Sequence, residues 1–313
     1  MRKPIRFDIL NYPGSQQSAV WGVKDLLDHA NVQAEGAGGR LFDVRLQDPP
    51  TRDCDVLLLP PALTLEPPKL LDGWSGTLGD LHKQGAMLAS VCSGAFLLAQ
   101  SGLLEGRRAT THWRHATLFR DRFPGVIVDT DQLLVDLGDV VTAGGVMAWT
   151  DLTLHLISRY GGRKLMLDIA RMFVLDPLDR EQRYYVSFVP NFSHADQQIA
   201  QVQQALQADI QTPHSVADLA SRASMSERSF LRRFKQATGK TPVAYLQLLR
   251  VEAARSRLEL TRDSFDKISR DVGYNDSAAF RRLFKRVLGL TPSDYRRRFG
   301  PAAPVGAAKH KAQ

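Results

Sequence analysis

Cys92 and His112 are the residues of this 313-residue chain whose surroundings suit nucleophilic chemistry. Cys92 stands in Ala86-Met-Leu-Ala-Ser-Val-Cys92-Ser-Gly-Ala-Phe96, an apolar strand pattern that runs into a glycine-containing turn and then an apolar helix. That order predicts a nucleophile elbow, a sharp turn that presents one side chain over a helix N-terminus, where the helix dipole favours a thiolate able to attack a carbonyl carbon. Such a thiolate needs a base. His112, in Thr110-Thr111-His112-Trp113, is the first candidate, ahead of His115 and His82, and a hydrogen-bonded structural histidine explains His112 equally well.

A second chemistry is written in the charge. Up to residue 190 the chain carries 20 Lys and Arg against 22 Asp and Glu; after it, 21 against 11. All of the net +8 therefore resides in the last 123 residues. A near-neutral domain joined to a polyanion-binding one is the expected organisation, and with no long apolar anchor in the basic part, nucleic acid is favoured over membrane. The two cysteines, Cys54 and Cys92, are too few for a disulfide framework and have no zinc-ligand spacing, so neither a staple nor a metal is expected. No window reaches eighteen uninterrupted apolar residues and no signal peptide is discernible, which predicts a cytoplasmic protein without membrane contact.

The elements that must position these residues follow from periodicity. Short runs rich in Val, Leu, Ile and Phe at 5–12, 41–46, 54–60 and 86–92 read as strands. Between the first two, Val20, Val23, Leu26 and Leu27 share one helical face. This βαβ rhythm predicts a mainly parallel sheet covered by helices on both faces. Further strands are expected at 108–112 and 125–130, a hairpin from 132–138 and 139–145, and helices over 148–160 and 163–175. The pattern breaks over 176–196, where two prolines and several charges interrupt it. The expected domains are thus 1–178, a linker 179–198, an all-α domain 199–300 and a disordered tail 301–313.

The all-α part contains a tandem repeat. Phe230-Leu-Arg-Arg-Phe-Lys matches Phe280-Arg-Arg-Leu-Phe-Lys at an offset of 50, and Gly239-Lys-Thr-Pro-Val-Ala-Tyr245 matches Gly289-Leu-Thr-Pro-Ser-Asp-Tyr295. Upstream the offset is 49, which requires one extra residue in the turn Gly273-Tyr-Asn-Asp276. Each unit reads as helix, short turn, helix: 216–223 then Glu227–Thr238 with Ser226 as N-cap, and 265–272 then a helix ending at Leu288 with Asp276 as N-cap. The phenylalanines four apart point inward. Arg228, Arg232 and Lys235 on the first reading helix, and Ser277, Arg281, Arg282 and Lys285 on the second, are left outward, where an arginine fork can take guanine O6 and N7 or a phosphate. A solvated basic face is the alternative for either helix taken singly, but two such faces in tandem favour helix-turn-helix reading.

Residues 200–300 resemble the DNA-binding domain of the AraC/XylS family, with Pro242–Leu260 as the joining helix and ISRDVGYNDSAAFRRLFKRVLGLTPSDYRR close to that family's signature. The first domain resembles the PfpI-like branch of the class I glutamine amidotransferase-like superfamily. The pairing of VCSGAFLLAQSGLLEGRRATTHW with an AraC-type tail is similar to the GlxA-type regulators. The resemblance implies a flavodoxin-like α/β domain followed by a double helix-turn-helix. It further implies a transcriptional regulator, an activator, with double-stranded DNA, RNA polymerase, a second copy of the chain and a small nitrogenous effector as partners, and no cofactor.

The chain departs from the catalytic PfpI-like pattern. Asn11-Tyr-Pro-Gly-Ser-Gln-Gln-Ser-Ala19 carries no carboxylate after the first strand, and Ser93, not histidine, follows Cys92. An effector pocket on an enzyme-derived scaffold is therefore the expectation, with a cysteine amidase or protease and an inert dimerisation domain as the other readings. Ligands of open α/β sheets bind at the carboxyl ends of the strands, which nominates Asn11, Pro60, Cys92, Ser93, Gly94 and His112.

Overall fold

The computed structural model describes residues 3–35, 39–64, 68–69, 74–177 and 180–301. The expected tail at 301–313 lies, after residue 301, outside the described residues. The chain divides into two units, Met1–Gln182 and Arg183–Gln313.

In the first unit, β1 (Ile5–Leu10), β2 (Phe42–Gln47), β3 (Val56–Leu59), β4 (Met87–Val91), β7 (Leu134–Asp136) and β8 (Val140–Ala143) form one sheet in the order β2-β1-β3-β4-β8-β7. All neighbours run parallel except the β7–β8 hairpin. β3 and β4 are buried at every position because helices cover both faces, hence their unbroken apolar sequences. On one face α1 (Gln17–Glu35) and α5 (Trp149–Met172) bury Val20, Val23, Leu26 and Leu27 with Leu152, Leu156 and Ile157. On the other, α2 (Trp74–Lys83), α3 (Ala95–Gln100) and α4 (Ala116–Arg122) contribute Leu78, Phe96 and Phe119.

Two expectations change in detail. The strands predicted at 108–112 and 125–130 shrink to β5 (Arg108–Ala109) and β6 (Ile127–Val128), a separate parallel pair. Thr110 and Thr111 leave the strand because their side chains and backbone bond elsewhere: the Thr110 amide donates to Thr142 Oγ1 (2.9 Å), and Thr111 Oγ1 donates to the Cys92 carbonyl (2.8 Å). The two helices expected over 148–160 and 163–175 are halves of α5, interrupted at Gly162 with φ 87° and ψ 162°, a conformation that suits glycine alone.

The second unit is helical: α6 (Gln197–Ala208), α7 (Val216–Arg222), α8 (Glu227–Thr238), α9 (Pro242–Leu260), α10 (Phe265–Asp271), α11 (Ser277–Leu288) and α12 (Pro292–Phe299). Side-chain caps start them at Asp196, Ser215, Ser226, Thr241, Ser264, Asp276 and Thr291. Gly239 and Gly289 end α8 and α11 in the left-handed conformation. Two cores result, one around Phe230, Phe234 and Tyr245 and one around Phe280, Phe284 and Tyr295. α9 serves both, through Leu249 in the first and Val251, Ala254 and Leu258 in the second.

The turns obey the repeat at the level of hydrogen bonds. Met225 N–H donates to the Ala220 carbonyl at 3.0 Å and Tyr274 N–H to the Ser269 carbonyl at 2.9 Å, 49 positions later. The residues just before them, Ser224 (φ 53°) and Gly273 (φ 89°), both take positive φ. Only the second position has the residue that conformation prefers, and a Cβ at Gly273 would lie 2.4 Å from the Gln211 carbonyl oxygen. Opposite effects are expected at the two sites. Gly273→Ala should destabilise this unit by roughly 1–3 kcal/mol, whereas Ser224→Gly should be neutral or stabilise by up to about 1 kcal/mol. Urea unfolding midpoints of the two variants check this.

Candidate nucleic-acid interface and the cysteine elbow

α8 and α11 each follow a short helix and a tight turn, and each fixes its orientation by burying two phenylalanines completely: Phe230 and Phe234, Phe280 and Phe284. With that face inward, Arg228, Arg232 and Lys235 of α8 are exposed, as are Arg281, Arg282 and Lys285 of α11, while Ser277 is half-buried. Their availability differs. Arg281 Nη2 donates to Asp266 Oδ1 at 2.7 Å, and its guanidinium lies over the Phe265 ring. The Arg281 guanidinium and a hydrogen bond from Ser277 hold the Asp266 carboxyl below its usual range. The side chains of Arg228, Arg232, Lys235, Arg282 and Lys285 have no hydrogen bond or ion pair among the described residues. Arg233, between Phe230 and Phe234 in sequence, is instead bound to Asp196, the cap of α6.

The elbow is formed where β4 ends. Cys92 adopts φ 55°, a costly conformation for a non-glycine residue and the turn shape a nucleophile elbow requires, and a one-turn 3-10 segment leads into α3. Its neighbours are tightly committed. Ser93 Oγ accepts from the Ala62 amide (2.9 Å) and donates to the Ala62 carbonyl (3.2 Å). A Cβ on Gly94 would sit 2.4 Å from the Leu59 carbonyl oxygen, so only glycine lets the turn pack on β3. Pro60 is buried, its carbonyl accepting from Tyr12 Oη at 2.7 Å, and the Asn11 side chain accepts from Gln17 at 2.8 Å.

Protonation states follow from this packing. Burial pushes the Cys92 thiol up to about 12, against weaker opposition from hydrogen bonds to Ser93. Burial, with the nearby His115 and Arg114 charges, pushes His112 down to about 4. His112 Nδ1 accepts from the Arg114 amide at 3.1 Å, and no hydrogen bond joins it to Cys92 among the described residues. A thiol whose pKa is raised and an imidazole whose pKa is depressed are poorly equipped for attack. Because the thiol pKa is raised, the neutral form is the one that folding favours, fully so below the ordinary thiol value and progressively less as pH rises towards 12. Alkylation of Cys92 by iodoacetamide in the native protein should accordingly be on the order of 10³-fold slower at pH 8 than for a free thiol, and should accelerate with pH until the unit unfolds. Mass spectrometry of the modified peptide reads the rate.

Among the described residues no three His, Cys, Asp or Glu side chains gather as metal ligands would, and no helix is long and apolar enough to cross a membrane.

Residues 29–159 match the DJ-1/PfpI family, and residues 219–298 match a helix-turn-helix domain family. HTH-type transcriptional regulator ArgR of Pseudomonas aeruginosa is 32% identical over 228 residues, an alignment that covers 72% of this chain and 69% of that protein. This chain belongs to the AraC family of HTH-type transcriptional regulators. The regulator is also similar to HTH-type transcriptional regulator GlxA of Rhizobium meliloti, 27% identical over 228 residues and covering 72% of this chain and 69% of that one. Among solved structures it is similar to an AraC family transcriptional regulator from Pseudomonas putida, at 17% identity and a TM-score of 0.47, covering 54% of this chain and 100% of that one.

The segment of the regulator read from its sequence as linker is rich in contacts. Gln182, only 2% exposed, donates to the Thr111 and Thr130 carbonyls (3.0 and 3.1 Å) and accepts from the Trp113 amide (2.8 Å), so it grips the stretch that flanks His112. A Cβ on Gly144 would come within 2.3 Å of its amide nitrogen. On the other side of the unit boundary, Phe188 stacks edge-on against Tyr245, and Arg255 donates to the Val186 carbonyl at 2.7 Å. No local sequence signal marks Gln182, since a buried glutamine is recognised only by partners 52 to 71 residues away.

Proposed function

We propose that the protein is a sequence-specific transcriptional regulator in which α8 and α11 enter successive major grooves, while the N-terminal unit binds a small effector and does no chemistry. The observation that carries the reading is the duplication of a capped, phenylalanine-anchored helix bearing unengaged basic side chains outward, each copy preceded by the same hydrogen-bonded turn. Two such helices in one chain suit an asymmetric half-site of two grooves about 34 Å apart. Activation through RNA polymerase, and two copies on paired half-sites, complete the proposal.

Arg232 and Arg282 occupy equivalent repeat positions, so alanine at either should weaken specific binding by roughly 1–3 kcal/mol. Arg281→Ala should cost less, because Arg281 must first leave Asp266. Quantitative footprinting measures all three, and unchanged protection in both Arg232→Ala and Arg282→Ala would move the reading face elsewhere.

The strained elbow at Cys92 favours one competing reading, a cysteine amidase or protease with a DNA-binding tail. Its raised thiol and depressed imidazole argue against it. Cys92-dependent turnover of an amide or peptide by the purified protein would establish that reading instead.

A further inference from the structure

Below the antiparallel edge of the N-terminal sheet lies a cleft of about 470 Å³, within the size range of small-molecule sites. Its apolar lining includes Leu133, Leu154 and Met166. Ser158 and Arg163 line it from either side of the Gly162 break in α5, and neither side chain has a hydrogen bond or ion pair among the described residues. Acidic residues line the cleft as well. Asp151 accepts from Arg180 Nε at 3.0 Å, and Asp176 and Glu181 have partners of their own. His155 is held by Asp136 at 2.7 Å. What the cleft offers an incoming carboxylate is a guanidinium, a hydroxyl and an aliphatic floor, beside acidic residues of which Asp151 is paired with Arg180.

We infer that this cleft binds a small organic carboxylate with an aliphatic body, its carboxylate taken by Arg163 and Ser158 and its carbon chain laid on Leu133, Leu154 and Met166. The inference rests on the effector-binding reading above and places the effector here, away from the elbow, where Ser93 and Gly94 are occupied by Ala62 and by β3. The placement also supplies a route for the signal. Arg180 and Glu181 line the same cleft and directly precede Gln182, the residue anchored to the Thr111–Trp113 stretch at the end of the unit. A ligand that binds one arrangement of these residues better than another shifts the population towards it.

The test uses the full chain and a set of named acids, butyrate, hexanoate, succinate and glutarate, at millimolar concentration, with sulfate at equal ionic strength as the control anion. At least one acid should raise the melting temperature by several degrees where sulfate does not. Arg163→Ala should weaken that acid's apparent affinity roughly tenfold or more. Ser158→Trp, which fills the cleft, should abolish the shift, and Cys92→Ser should leave it unchanged. The site is wrong if none of the acids shifts the wild type, or if the shift persists at full size in both Arg163→Ala and Ser158→Trp. Footprinting of the same preparations separates the two levels. A protein that protects DNA yet ignores every acid loses only this site, whereas one that protects no DNA loses the regulator reading as well.

Discussion

Binding to the target DNA should weaken about 10³- to 10⁵-fold as salt rises from about 50 to 200 mM, the response of a protein that releases counterions from some six to ten phosphates. The expectation comes from where the unengaged charge lies. Arg228, Arg232 and Lys235 on α8 and Arg282 and Lys285 on α11 are exposed and their side chains have no hydrogen bond or ion pair among the described residues, while the charges nearer the core, such as Arg233, Arg255 and Arg257, are bound to Asp196, Glu252 and Asp263. Charges already neutralised within the protein contribute little to counterion release, so the slope reports chiefly on the outward set. Fluorescence anisotropy on one labelled operator across the salt range gives it directly. A flat dependence would mean that the basic surface does not face phosphate. Arg282→Ala should lower the slope only if Arg282 meets the backbone, and should leave it unchanged while relaxing sequence preference if it meets a base.

Phe284→Ala should cost roughly 3–5 kcal/mol of stability in the second unit. The ring is wholly buried and packs edge-on against Phe265 and Tyr295, with centroids 5.8 and 5.6 Å away, so its loss opens a cavity at the meeting point of α10, α11 and α12. Against a typical total of about 5–15 kcal/mol, that loss leaves a substantial unfolded population at growth temperature. Protection of the groove read by α11 should fail first, because α8 rests on the separate core around Phe230 and Phe234. Urea unfolding followed by circular dichroism measures the energy, and footprinting reads the selective loss. A midpoint close to wild type would show that the two cores are not built as the packing indicates.

Much of the helical unit was legible in the chain because its rules are local. A side-chain cap acts over three residues, a pair of phenylalanines four apart marks a helical face, and a glycine after the last turn ends it. The bounds of α8 and α9, the cap at Asp276 and the inward phenylalanines all follow from such short-range patterns. The extra residue in the second turn was legible for the same reason, since the offset between repeats changes from 49 to 50 across it. The βαβ rhythm similarly announced a parallel sheet, because continuous apolar strands alternating with amphipathic helices have few other ways to bury both faces.

What the linear pattern lacked was the identity of partners. Thr110 and Thr111 read as strand residues, yet their bonds to Thr142 and Cys92, reaching 32 and 19 positions along the chain, end the strand early. Gln182 read as linker, yet partners 52 to 71 positions away make it a buried anchor. The sequence by itself determined that two basic helices follow short turns in tandem, which of their faces turns inward, and that an elbow forms at Cys92. Only the tertiary structure decided that Arg281 is tied to Asp266 while the Arg282 side chain is unengaged, that burial raises the pKa of the elbow thiol, and that Ser158 and Arg163 share a cleft. The reason is physical: helix capping and periodicity act within a few residues, whereas desolvation and pairing of a charge depend on whichever distant segments fold against it.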